Sequence, residues 1–146
     1  MSRTIKKFEN NEIALGTWIS IQHIDVVEIL RTLPFDWLMF DMEHSPATLQ
    51  SLQNILPALN GTDITPFVRV PWNNMVYIKR VLDLGFEGIL VPYVNSREEA
   101  EKAVRNCVYP PKGVRGIGPR RASMYGEEEL KHYVENFEEN KLLIGV

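Results

Sequence analysis

Apolar positions along the chain follow two rhythms. Short, nearly continuous apolar runs occur at "IALGTWIS" (13–20), "DWLMFDME" (36–43), "ITPFVRV" (64–70), "GILVPYV" (88–94) and "KLLIGV" (141–146), the pattern of strands covered on both faces. Between them apolar residues recur at helical spacing. Asp25 is placed to cap "VVEILRTL". Ser45 or Thr48 would cap "SPATLQSLQNILPAL", with Pro46 tolerated in its first turn. "NNMVYIKRVLDLG" sets Met75, Ile78, Val81 and Leu82 on one face and ends on Gly85 as C-cap. Ser96 followed by Glu99 forms a capping box for "SREEAEKAVRNCV". A Gly- and Pro-rich loop over 109–126 precedes a last helix, "EEELKHYVENFEEN" (127–140).

Strand and helix in strict succession predict an α/β fold with a parallel sheet and helices outside. Two architectures share that signature, an open doubly wound sheet and a (β/α)8 barrel. The open sheet usually places a Gly-rich turn after its first strand. Here the turn is "SIQHID", without glycine. Residues 1–146 read as a single domain.

Composition narrows the partners. A net charge of −3 gives no electrostatic reason to expect nucleic acid or an anionic membrane. No apolar run is long enough to span a bilayer, and "MSRTIKKFENNE" lacks the apolar centre of a signal peptide. One cysteine, Cys107, excludes an internal disulfide framework, fits a reducing compartment, and reads as a packed thiol. A cytoplasmic protein is expected.

Candidate chemistry gathers in "FDWLMFDMEHSP" (35–46), where an apolar strand ends in two carboxylates and an imidazole. Alternation puts Trp37, Met39, Asp41 and Glu43 on one face and Leu38, Phe40 and Met42 on the other. The apolar set should pack on the helices. The other set should face a barrel interior, with Asp41, Glu43 and then His44 at the C-terminal mouth, where barrels carry their chemistry. In the third strand Thr65, Phe67 and Arg69 share a face, with Arg69 at the mouth. Its guanidinium can pair with these carboxylates or present its fork to a substrate carboxylate. A purely structural ion-pair network of Asp41, Glu43 and Arg69 is the competing reading.

The segments "GTWIS", "FDWLMFDMEHSP", "VRVPWNN…IKRVLDLG", "ILVPYVNSREEAEKAV" and "YPPKGVRGIGPRRAS" together resemble the HpcH/HpaI family of metal-dependent 2-oxo-acid aldolases, from about residue 13 onward. The resemblance implies a (β/α)8 TIM barrel, of which about the first four and a half βα units are present; a complete barrel needs roughly 250 residues. It implies reversible retro-aldol cleavage of a 4-hydroxy-2-oxo acid or 2-dehydro-3-deoxy sugar acid to pyruvate and an aldehyde. The acid/base role falls on His44, its orientation on Asp41, and binding of the 2-oxo acid on Arg69. Trp18 falls on the pocket wall. The resemblance also implies that Glu43 and Asp83 support the site, Asp83 through the proton network. A divalent metal (Mg, Mn or Co) is expected for the intact enzyme, with ligands beyond residue 146 and none within this chain. A homo-oligomer is also expected. The 146 residues alone should be inactive and prone to associate through an open sheet edge.

Rival chemistries fit less well. A Schiff-base aldolase needs a lysine at a strand end; Lys79 falls in a helix and Lys141 before its strand. "PKGVRGIGPRR" follows Tyr-Pro-Pro rather than a strand and matches neither phosphate-binding fingerprint, so it reads as a shaped active-site or interface loop. Arg120 and Arg121 read as solvated or interfacial, and His23 and His132 as surface residues. The non-enzymatic alternative is a half-barrel binding or assembly module lacking the metal site.

Overall fold

The structure, a computed structural model, describes residues 2–137 and 142–146. The chain opens with helix α1 (Arg3–Glu9) and continues through β1 (Gly16–Ile19), α2 (Ile24–Leu30), β2 (Trp37–Asp41), α3 (Leu49–Ile55), a 3-10 turn (Leu56–Leu59), β3 (Thr65–Arg69), α4 (Met75–Asp83), β4 (Gly88–Leu90), α5 (Arg97–Cys107), α6 (Glu127–Glu135) and β5 (Leu143–Gly145). All neighbouring strands pair in parallel, in the order β1-β2-β3-β4-β5. Each strand lies beside its successor, so the order never reverses as it does in a doubly wound sheet. This is the winding of a TIM-type barrel.

The alternation read in the sequence is realised. Leu38, Phe40 and Met42 are buried with Ile19, Val68 and Ile89 against the helices, where Val27, Leu52, Ile78, Val81 and Ala103 complete the core. On the inner face Trp37 and Phe67 stack at 6.1 Å between centroids. Glycine makes room for both rings. A Cβ at Gly16 would lie 2.0 Å from the Trp37 ring, and one at Gly88 2.3 Å from Phe67. Small residues set beside large ones are how a narrow barrel interior fills.

Three local features differ from the sequence reading, and one open alternative is resolved. Helix α1 forms in the polar N-terminal segment, capped by Ser2. Thr4 donates to the Asp36 carbonyl at 2.7 Å, and Lys7 and Arg3 pair with the Asp36 carboxylate at 2.8 and 3.4 Å. Asp36 is buried at the foot of β2, so α1 closes the N-terminal end of the sheet. The cap of α2 is His23, two residues earlier than Asp25, which instead donates its backbone N–H to the imidazole. Thr48 caps α3, in a reciprocal box with Ser51, while Ser45 donates to the Asp41 carbonyl. Helix α6 ends at Glu135; residues 138–140 of the expected helix, and Lys141, lie outside the described residues. Among the described residues no helix is long and apolar enough to cross a membrane.

Candidate active site

The C-terminal ends of β1, β2 and β3, with the turn after β2, bring five of the candidate residues together: Trp18, Asp41, Glu43, His44 and Arg69. Asp41 and Arg69 are register partners. Arg69 donates from Nε to Asp41 Oδ1 and from Nη2 to Asp41 Oδ2, both at 2.9 Å. The two parallel bonds form the fork-to-carboxylate geometry that fixes a guanidinium plane. Glu43 Oε2 lies 3.1 Å from the same Nε. Trp18, from β1 on the far side of β2, lies under the guanidinium with 4.5 Å between Arg69 Cζ and the ring centroid, a cation–π contact. Arg69 is therefore held from an edge and a face.

Asp41 also organises the turn that follows. Its Oδ1 accepts the backbone N–H groups of Glu43 and His44 at 3.0 and 3.3 Å. Burial works against its carboxylate, but the Arg69 bonds and these two N–H groups outweigh it and hold the pKa below the ordinary value. The Asp41 bonds in turn push the Arg69 pKa up, against the cost of burial.

His44 is two-thirds exposed, and its Nε2 lies 3.5 Å from Glu43 Oε1. The orienting role expected of Asp41 is thus divided. Asp41 places the His44 backbone, while the carboxylate beside the imidazole is that of Glu43, which spans Arg69 and His44.

Asp83 does not join the cluster within this chain. It ends α4, at the opposite end of the sheet from Arg69, where Arg115 Nη2 pairs with its Oδ1 at 2.8 Å. Arg115 is fully buried, over the rings of Tyr109 and Phe137. It was missed in the sequence because its loop reads as glycine-rich and polar. That loop packs at the foot of the sheet: Ala122 donates to the Asp83 carbonyl and Arg121 Nη1 to the Leu84 carbonyl at 2.6 Å. The loop is not part of this mouth, and Arg121 is a tether rather than a solvated side chain. His23 is exposed and caps α2 from the loop after β1, at the mouth end; among the described residues its ion pair is with Asp25 rather than with the cluster. Arg120 and His132 are exposed on the segment between α5 and β5, and Lys79 stands on α4. Cys107 is buried, and burial pushes its pKa up to about 12, the behaviour of a packed thiol.

The donor set does not fit a divalent metal. Among the described residues no three His, Cys, Asp or Glu side chains form a group able to hold one. Asp41 and Glu43 are both drawn onto Arg69. What the arrangement can do is bind an anion and move a proton. Among the described residues no hydrogen bond or ion pair of Arg69 Nη1 is seen, and the Arg69 side chain as a whole keeps about a fifth of its surface open.

Comparisons with known proteins place these features in a family. The HpcH/HpaI aldolase/citrate lyase family matches residues 14–146. A 5-keto-4-deoxy-D-glucarate aldolase of Escherichia coli O139:H28 is 42% identical over 116 residues, which cover 79% of this chain and 45% of the relative. The chain thus spans about half the length of the curated relatives it matches. The crystal structure of an HpcH/HpaI aldolase from Desulfitobacterium hafniense superposes with a TM-score of 0.85 at 26% identity, covering 99% of this chain and 55% of that one. An HpcH/HpaI aldolase/citrate lyase family protein from Burkholderia cenocepacia superposes with a TM-score of 0.89, also at 26% identity, covering 99% and 59%.

Proposed function

The chain belongs to the HpcH/HpaI aldolase/citrate lyase family, and on that premise we propose that it supplies the 2-oxo-acid-binding and proton-transfer half of a carbon–carbon lyase. The reaction proposed for the intact protein is reversible retro-aldol cleavage of a 4-hydroxy-2-oxo acid, or a 2-dehydro-3-deoxy sugar acid, to pyruvate and an aldehyde. The similarity to 5-keto-4-deoxy-D-glucarate aldolases supports a sugar-acid substrate. A cytoplasmic homo-oligomer acting on small molecules is part of the same reading.

The observation that carries the proposal is the free Nη1 edge of Arg69. Asp41 fixes the guanidinium plane by two bonds, and Trp18 backs one face. A rigid guanidinium with one open edge suits the carboxylate and 2-oxo oxygens of the substrate. As the C3–C4 bond breaks, negative charge grows on the 2-oxo oxygen, and a preorganised cation beside it lowers the barrier. His44 takes the proton of the 4-hydroxyl through a water. The C3–C4 electron pair becomes the enolate of pyruvate, and the aldehyde departs. Delivery of a proton to C3, from His44 through water, completes the turnover and restores the neutral imidazole; the reverse sequence is aldol addition. His44 suits proton exchange because its imidazole carries two ring nitrogens, one able to donate while the other accepts, and its exposure leaves it open to substrate.

No step is assigned to a metal, because the carboxylates present are engaged by Arg69. The divalent ion expected for the intact enzyme would take its ligands from beyond residue 146. The test is pyruvate release from a 4-hydroxy-2-oxo acid by the intact protein and by its Arg69→Lys variant. An ammonium cannot reproduce the planar fork, so a loss in kcat/KM of about 10²-fold or more is expected, as for an oxyanion-stabilising donor. Absence of pyruvate from the wild-type protein would overturn the proposal.

A further inference from the structure

We propose that the Trp72–Tyr93 ring pair selects the aldehyde half of the substrate, taking a hydroxylated carbon chain against its faces. This rests on the reading of the mouth as a 2-oxo-acid lyase site. Arg69 and Leu90 are register partners, and each ring stands three residues beyond one of them. The pair therefore sits on adjoining mouth loops, just past the residue proposed to hold the 2-oxo acid. The centroids are 4.9 Å apart and the planes tilted by 34°. Trp72 is 55% and Tyr93 58% exposed, although stacked rings of this size usually stay covered.

The pair is built rather than incidental. Tyr93 adopts φ of 57°, a left-handed backbone that a bulky residue rarely takes. Non-glycine residues in that region cluster at ligand clamps. Both loops are tied to one residue of α5. Asn73 Nδ2 donates to the Glu99 carbonyl at 2.9 Å, and the Asn95 backbone N–H donates to the Glu99 carboxylate at 2.7 Å. Asn95 Nδ2 also donates to the Tyr93 carbonyl at 3.2 Å. The rings are thus presented on a pinned ledge at low ordering cost, as a preorganised contact surface requires.

The chemistry offered is mixed. Ring faces take the C–H groups of a carbon chain. Among the described residues neither the Trp72 indole N–H nor the Tyr93 hydroxyl has a protein hydrogen-bond partner, so each is open to a substrate hydroxyl. A hydroxylated aldehyde uses both features, whereas an aliphatic aldehyde of equal length uses only the first.

The test is aldol addition of pyruvate to D-glyceraldehyde and to propanal by the intact protein. Hydrogen–deuterium exchange of the pyruvate methyl protons is read in parallel. The wild type should favour glyceraldehyde. Trp72→Leu and Tyr93→Asn should each lower that preference in kcat/KM by about tenfold, a modest loss for groups that hydrogen-bond a substrate hydroxyl, with methyl exchange unchanged. Asparagine tolerates the left-handed backbone, so the second variant removes the ring without forcing the loop to refold. An unchanged preference in both variants would overturn the inference while leaving the lyase reading intact. So would a change in oligomeric state as the sole effect, which would mark the pair as an interface. No methyl exchange in the wild type would remove the reading on which the inference stands.

Discussion

Arg69 and Asp41 stand opposite each other in the β2–β3 register and are joined by two 2.9 Å hydrogen bonds. The same carboxylate accepts the backbone N–H groups of Glu43 and His44. One buried aspartate thus sets both the guanidinium and the turn that carries the imidazole. Removing it should disturb two functional groups at once.

This arrangement makes the chain acid-sensitive. Asp41 has a lowered pKa in the folded state, as Arg69 and two N–H groups overcome the opposing effect of burial. Asp36 is lowered likewise, its burial offset by Lys7, the Leu15 N–H and Arg3. A carboxylate with a depressed folded pKa contributes stability above its unfolded value near 3.9. That stability is lost as pH falls through the folded value. Asp41→Asn and Asp36→Asn should each lower stability at pH 7 and flatten the acid limb below about pH 4. Urea denaturation at pH 3 and pH 7 checks this; equal losses at both pH values would contradict it.

His44→Ala should separate chemistry from folding. The imidazole is largely exposed, so its removal should change the melting temperature little. Turnover of the intact protein should fall by about 10²–10⁴-fold, the usual worth of general acid–base catalysis. Near-normal turnover with an unchanged pH–rate profile would remove His44 from the mechanism.

Asp83→Ala should do the opposite in this chain. It would strip the ion-pair partner from the fully buried Arg115. Leaving a buried charge uncompensated costs about 3–5 kcal/mol. Thermal denaturation should therefore show a larger loss for Asp83→Ala than for His44→Ala, and partial rescue in the double variant Asp83→Ala/Arg115→Met. A loss no greater than that of His44→Ala would show that Arg115 is satisfied without Asp83.

The 146-residue chain should bind no divalent metal stoichiometrically. Its described residues hold no group of three donors, and Arg69 competes for both mouth carboxylates. Hard divalent ions require several converging oxygen ligands. Calorimetric titration with Mn²⁺ should give no saturable heat; a one-to-one isotherm would show that Arg69 yields its carboxylates to the ion.

Much of this was legible in the sequence because strand alternation is strict. Leu38 and Phe40 had to face the helices if Asp41 faced the interior, and Arg69 had to lie on the Asp41 side once β3 paired with β2. Cap residues were less legible, since His23, Asp25, Ser45 and Thr48 all have side chains able to satisfy an N–H, and the choice depends on where each strand stops. Helix α1 was hidden because its anchor is Asp36, a single buried charge distant in sequence. Arg115 was hidden for the same reason: its burial depends on Asp83, Tyr109 and Phe137, which only the tertiary fold brings together. The division of labour between Asp41 and Glu43 followed from the turn after β2, whose hydrogen bonds no periodicity specifies.

A crystal structure of the intact protein with pyruvate would show whether Arg69 is the fixed fork for a 2-oxo acid. A pyruvate oxygen is expected within about 3 Å of Arg69 Nη1, the normal range for such a bond, with Asp41 still holding Nε and Nη2. Pyruvate bound elsewhere, with no contact to Arg69, would contradict it.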